Sequence, residues 1–109
     1  MASNATASIL SLVATIVRVA CAVIAAVIVI HALFVLFEAN PANGLVTFAA
    51  DWRNSFGWFT EDLFTPSDPK IAETINAGLA AVVWVVAGSL ISKLIVKLAP
   101  APTSKKADA

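Results

Sequence analysis

The sequence predicts an all-α membrane protein, a two-helix transmembrane hairpin with an amphipathic interfacial helix in the external loop. Three observations carry that expectation. First, Val19 to Phe37 and Thr74 to Ser92 are uncharged stretches bracketed by Arg18 and Glu38 and, in reverse order, by Glu73 and Lys93. About 19 residues at a helical rise of about 1.5 Å span roughly 29 Å, close to the hydrocarbon thickness of a bilayer. Second, 60% of the residues are hydrophobic and 13% charged, with a mean hydropathy of +0.89. A soluble domain of this size needs more polar surface. Third, the net charge of zero conceals a polarity along the chain. Glu38, Asp51, Glu61, Asp62, Asp68 and Glu73 outnumber Arg53 and Lys70 between the spans, whereas Lys93, Lys97, Lys105 and Lys106 follow the second against Asp108 alone. The positive-inside rule, resting on Arg18 and these lysines, predicts cytoplasmic termini and an external loop.

The chain reads as a single membrane domain, residues 1–109. Residues 1–18 form an N-terminal helix extension, because Ile9, Leu12, Val13 and Ile16 recur at helical spacing while Ser8, Ser11, Thr15 and Arg18 share the other face. The first transmembrane helix covers residues 19–37. A frame from Ile9 to Ile30 would instead bury Arg18 near mid-membrane, at about 2.5 to 3.5 kcal/mol, so the frame bounded by Arg18 is preferred. A cleaved signal is not expected, since nothing basic precedes Arg18 and the apolar run is too long for an h-region.

The external loop covers residues 38–72. Asn40-Pro41-Ala42-Asn43-Gly44 breaks the first helix, because proline restricts the residue before it and Asn-Gly is turn chemistry. Leu45, Phe48, Trp52, Phe56, Phe59 and Leu63 then follow steps of three and four, giving an amphipathic helix over about residues 44–64 that Gly57 weakens. Its aromatic face suits the headgroup boundary, flat on the outer leaflet or folded over the mouth of the hairpin, with Trp52, Phe56, Phe59 and Leu63 as interfacial anchors. Asp68 as N-cap and Pro69 as first helical residue start the second transmembrane helix, assigned to residues 73–98 within the membrane frame. Pro100 and Pro102 stop it, and residues 99–109 are expected to be a disordered basic tail.

Small residues mark the expected helix packing. Gly78, Ala81, Gly88 and Ser92 share a stripe of the second span with Val85 between them, and Ala22, Ala25, Val29 and Ala32 continue the Ser8 to Arg18 face of the first. Such stripes let helix backbones approach closely, as the hairpin seam or as a contact between copies. His31 is an intramembrane polar residue without a carboxylate at helical spacing in its apolar segment, so a neutral histidine bonded to a neighbouring helix is expected, with Asn76 as partner. Trp84, at mid-span, points to packing against another helix or to a lipid-facing knob. Arg18, Lys93 and Lys97 set topology, and the basic C-terminal end suits anionic lipid. Cys21, the only cysteine, permits neither an intrachain disulfide nor a thiolate metal site.

No nucleotide loop, nucleophile-base pair or metal-ligand cluster is visible, so no catalytic residue, cofactor or metal is expected and the chain does not read as an enzyme. A short basic tail without an aromatic platform does not suit nucleic acid. Asn40-Pro41-Ala42-Asn43-Gly44 with Asp62-Leu63-Phe64-Thr65-Pro66-Ser67-Asp68-Pro69-Lys70 resembles a group of small two-span bacterial membrane proteins with an outer amphipathic segment. Asn43-Gly44-Leu45-Val46-Thr47-Phe48 and Thr60-Glu61-Asp62-Leu63-Phe64-Thr65-Pro66 are similar to two stretches of the YggT family of two-span modules, though further apart and without that family's arginines and first proline. That resemblance implies a loose link to cell-envelope and division roles and osmotic tolerance. The expectation is a multi-pass protein of the bacterial cytoplasmic (inner) membrane that packs with other membrane subunits or copies of itself, as accessory subunit or scaffold. A small pore or holin-like permeabiliser is the alternative, with Ser8, Ser11, Thr15, Arg18 and His31 as its only available polar wall.

Overall fold

The computed structural model describes residues 2–98, with side chains from Asn4 onward; the tail expected over residues 99–109 lies outside the described residues. Helix α1 runs Ala2–Leu36, α2 runs Gly44–Phe56, a 3-10 turn covers Trp58–Thr60, and α3 runs Pro69–Lys97. The fold is all-helical, and α1 and α3 are long and apolar enough to cross a membrane. They pack antiparallel along their lengths, with His31 beside Glu73 at one end and Cys21 beside Gly88 towards the other.

Local chemistry sets each boundary. Helix α1 stops before the Asn-Pro break: the Ala39 amide donates to the Phe34 carbonyl (2.8 Å) and the Glu38 amide to that of Val35 (3.1 Å). This is a Schellman arrangement with Glu38 in the left-handed position, φ 55°, where glycine is the usual occupant. The Asn43 side chain caps α2, accepting from the amides of Leu45 (2.8 Å) and Val46 (3.4 Å), and satisfies donors the first turn leaves orphaned. Asp68 caps α3 by accepting from Lys70 at 2.9 Å, with Pro69 behind it. Lys70 also reaches Glu38 at 2.6 Å, pinning the end of α1 to the start of α3. The Lys70 ammonium, by hydrogen bond and then by charge, holds the Glu38 carboxyl below the usual carboxylate range. The link is therefore complete above that range and opens as pH falls through the lowered value. Being exposed, it fixes geometry more than it stabilises.

The α1–α3 seam is rotated from the expected one. Ala14, Cys21, Ala25, Ile28 and Ala32 of α1 are buried, at steps of seven, four, three and four. Ala77, Ala80, Ala81, Gly88 and Ser92 are buried on α3. Of the expected packing residues, Ala25, Ala81, Gly88 and Ser92 lie in the seam, whereas Ala22, Val29, Gly78 and Val85 border an open apolar groove beside it. The displacement comes from α2. Ile24, Trp52, Phe56 and Trp84 pack against the Ala25, Ile28, Ala77, Ala80 cluster, so the loop helix, expected flat on the outer leaflet or over the mouth of the hairpin, shares one core with the two long helices.

Helix α2 is shorter than expected, ending at Phe56 with Gly57 as its C-cap. A Cβ on Gly57 would lie 2.7 Å from Arg53 Nη1 and 3.0 Å from Ala80 Cβ. The glycine thus answers to a close approach between α2 and α3, which local propensity does not report. At Gly88 a Cβ would lie 2.6 Å from Cys21 Cβ, closer than packed carbons stand.

Gly88→Leu should therefore separate α1 from α3 and cost about 1 to 3 kcal/mol of stability in a detergent-based unfolding titration. Gly78→Leu, with nothing within 4 Å of its Cβ, and Leu90→Ala, on an exposed face, should cost much less. Equal losses for the three would remove Gly88 from the seam.

Candidate functional site

The three helices meet at three ionisable side chains. Helix α1 supplies His31, α2 supplies Arg53 and α3 supplies Glu73. One carboxylate oxygen, Glu73 Oε2, accepts from Arg53 Nε at 2.8 Å and stands 2.6 Å from His31 Nε2. Arg53 is 0% exposed and His31 8%, while the Glu73 side chain retains 32%. A guanidinium cannot be deprotonated, so its burial demands a counter-charge and acceptors for its protons. Glu73 supplies the charge. The acceptor is local: Arg53 Nη1 donates to the carbonyl of Gly57, four residues on. A cation at a helix C-terminus is also favoured by the partial negative charge of the last carbonyls. Arg53 Nη2 is buried without a partner among the described residues.

Around this cluster the polar backbone where the chain leaves α2 is bonded group by group. Trp84 Nε1 donates to the Phe56 carbonyl at 2.7 Å, and the Gly57 carbonyl accepts from the Thr60 amide at 3.1 Å as well as from Arg53. The buried Thr60 hydroxyl stands 2.7 Å from the Asn76 carbonyl. The Asn76 side chain then clamps the returning strand of chain, accepting from the Phe64 amide at 3.0 Å and donating to the Phe64 carbonyl at 2.9 Å. On the α1 side, Trp52 Nε1 donates to the Ile24 carbonyl at 3.1 Å. Residues 44–64 thus form a helix and a return segment pressed against both long helices, with the turn at Gly57 level with Ala80.

The expected site residues divide accordingly. His31 has a carboxylate partner after all, Glu73, and Asn76, expected as its partner, serves Phe64 instead. Trp52 and Phe56, expected as interfacial anchors, pack inward, their rings 4.8 Å apart, and Phe56 meets Trp84 edge-on at 5.9 Å. Phe59 and Leu63 remain exposed. Of the two readings of Trp84, packing against another helix is the one the structure shows. Arg53 and Glu73 had no assigned role beyond loop charge and span boundary. The available signal was a second stripe on the loop helix: Ala49, Arg53, Gly57 and Thr60, at steps of four, four and three, are all buried.

Chemically, the cluster offers a carboxylate held between a permanent cation and a titratable imidazole. No group of three metal-ligating side chains occurs among the described residues, and Cys21 lies away at Gly88. His31 borders a cleft of about 280 Å3 with Phe34, Val35, Glu38, Pro41 and Val46, which opens beside the Glu38 end of the helix pair. Compared with family models, curated proteins and solved structures, the chain matches none.

Glu73→Gln should cost about 3 kcal/mol in an unfolding titration, because it leaves the Arg53 charge buried and uncompensated. Arg53→Met combined with Glu73→Gln should recover much of that loss. Additive effects in this double-mutant cycle would show that the two side chains do not act as a pair. Gly57→Ala should also destabilise, since the new methyl group would stand 2.7 Å from Arg53 Nη1 and 3.0 Å from Ala80 Cβ, so that the guanidinium must shift.

Proposed function

We propose that the chain is a non-enzymatic integral membrane protein of the bacterial inner membrane, an accessory subunit or self-assembling scaffold that works by packing. In this reading α1 and α3 cross the bilayer as a hairpin with both termini in the cytoplasm. Support comes first from exposure: only 28% and 22% of the apolar windows of α1 and α3 are buried, whereas a core helix of a soluble protein would be mostly covered. The charges support the orientation: Arg18, Lys93 and Lys97 stand towards one end of the pair without a carboxylate partner among the described residues, whereas at the other Arg53 and Lys70 are paired with Glu73 and Glu38.

The observation that carries the packing role is the bonded turn at Gly57. Ala80 lies about two helical turns beyond Glu73, roughly 10 Å along α3, so α2 and its return segment dip below the outer boundary as a re-entrant element. Non-helical backbone at that depth is tolerated only where protein or water satisfies it, and the carbonyls of Phe56 and Gly57 have such partners. The outer face of α2 is different. Asp51, Asn54 and Ser55 are exposed there, and lipid is a poor neighbour for them. A polar face of a partner subunit, or of a second copy, is the natural cover.

The same strip favours one alternative, a small pore in which α2 from several copies lines a water-filled vestibule. A continuous wall is not supported, because Thr15 turns its hydroxyl to the Ser11 carbonyl and His31 is occupied by Glu73.

In a Cys21→Ala background, a membrane-impermeant thiol reagent should label a cysteine at Ser67 in intact cells and spare one at Ser8; the reverse pattern would overturn the orientation. A cysteine at Ser55 should label weakly, whereas labelling as strong as at Ser67 would place α2 flat on the surface. Photo-crosslinkers at Asp51 and Asn54 should capture protein rather than lipid. Purified protein in vesicles should leave ion permeability unchanged, and conductance altered by Phe56→Asp would favour the pore.

A further inference from the structure

The opposite end of the helix pair carries a polar feature that this packing role does not use. Ser11, Thr15 and Arg18 of α1 and Ser92 and Lys93 of α3 border a notch of about 300 Å3 with buried Ala14 at its side. Two cations on two different helices meet there, and no carboxylate among the described residues lines it. Among the described residues the ion pairs engage His31, Arg53 and Lys70, and neither Arg18 nor Lys93 takes part. The Thr15 hydroxyl donates to the Ser11 carbonyl at 3.0 Å and the Ser92 hydroxyl to the Ser89 carbonyl at 2.9 Å. The charge of the notch is therefore left to the arginine and the lysine. Close contact at Gly88, where a Cβ would stand 3.7 Å from Arg18 Cα, keeps the two helices together one turn away.

A second surface adjoins it. Leu90, Leu94 and Lys97 line an apolar groove of about 510 Å3 along α3, and this groove shares Lys93 and Val96 with the notch. Leu90 and Leu94 are both more than half exposed. A cationic recess thus opens directly onto an apolar wall running along a membrane-crossing helix. Free phosphate has use for the first feature only; a phospholipid has use for both. The partial negative charge at the C-terminus of α3 opposes an anion, and Lys93 with Lys97 in the last turns offsets it.

We propose that this notch binds the phosphate of an anionic glycerophospholipid, Arg18 and Lys93 clamping the headgroup from two helices while an acyl chain lies along Leu90 and Leu94. Placing that lipid in the inner leaflet rests on the orientation argued above; the binding itself does not. The arginine presents a planar fork to phosphate oxygens and the lysine a mobile point charge. Each basic side chain near an anionic headgroup contributes about a fivefold preference, so the pair contributes about 25-fold.

The test is lipid retention by the full chain reconstituted in nanodiscs that contain phosphatidylglycerol and phosphatidylethanolamine in equal amounts. Native mass spectrometry after release should find phosphatidylglycerol retained preferentially. Arg18→Gln with Lys93→Gln should reduce that preference by about 25-fold, Arg18→Lys with Lys93→Arg should largely keep it, and Lys70→Gln at the other end should leave it unchanged. Helical content by circular dichroism establishes that each variant is folded. No preference in the native chain, or the same preference in the doubly neutral variant, would overturn the proposal. Full displacement of the lipid by millimolar inorganic phosphate would overturn it too, by showing a site for free phosphate. Nanodiscs present the lipid in both leaflets, so this readout is independent of orientation, which the thiol labelling decides separately.

Discussion

A buried guanidinium is the constraint around which this structure is arranged. Arg53 is 0% exposed, and because its charge is permanent, its burial demands a counter-charge and acceptors in place of water. Glu73 provides the counter-charge, and the end of α2, the helix that carries Arg53, provides a carbonyl. Each of those partners fixes a further element. Glu73 belongs to α3 and also engages His31 of α1, while the carbonyl belongs to Gly57, where α2 must stop. One side chain thereby sets the distance of α2 from both long helices and the point at which the chain turns back.

The small residues follow from that geometry. Ala77 and Ala80 of α3 and Ala25 and Ala32 of α1 are buried where α2 leans on the pair, because larger side chains would hold the backbones apart. Aromatic rings fill the space that remains. The run Phe48, Trp52, Phe56, Trp84 keeps ring centroids 5.6, 4.8 and 5.9 Å apart, and both indoles place their N–H on a backbone carbonyl. Ring packing of this kind is worth about 0.5 to 1.5 kcal/mol per pair. The hydrogen bonds matter for a different reason, since an indole N–H left unpaired in an apolar core would oppose burial.

The two long helices were legible in the sequence because length and hydropathy are properties of a contiguous segment. So was the start of α3, since the Asp68 cap and Pro69 act within one turn. The cluster was not. His31, Arg53 and Glu73 lie on three separate helices, and no spacing rule connects them; Glu73 was equally consistent with a span boundary. Gly57 could be read as a weak point in a longer helix, whereas its role as a stop depends on Ala80 and Arg53 standing against it. For the same reason the seam was rotated: a third helix competes for the faces of α1 and α3, and a stripe of small residues does not say which neighbour it will meet.

The order of the cluster along the chain carries a consequence for biogenesis. His31 and Arg53 are synthesised before Glu73, the residue that neutralises the arginine. Until the carboxylate emerges, Arg53 has no charge partner in this cluster, and moving it out of water would be opposed by the cost of an unpaired ion. The Arg53 side of α2 would thus stay in water until α3 is made. Arrival of α3 converts an exposed arginine into a buried one and draws α2 down against both helices. Docking of α2 is in this way coupled to completion of α3, so that a chain truncated before Glu73 would keep its inward-packing aromatic face and its unpaired arginine on display.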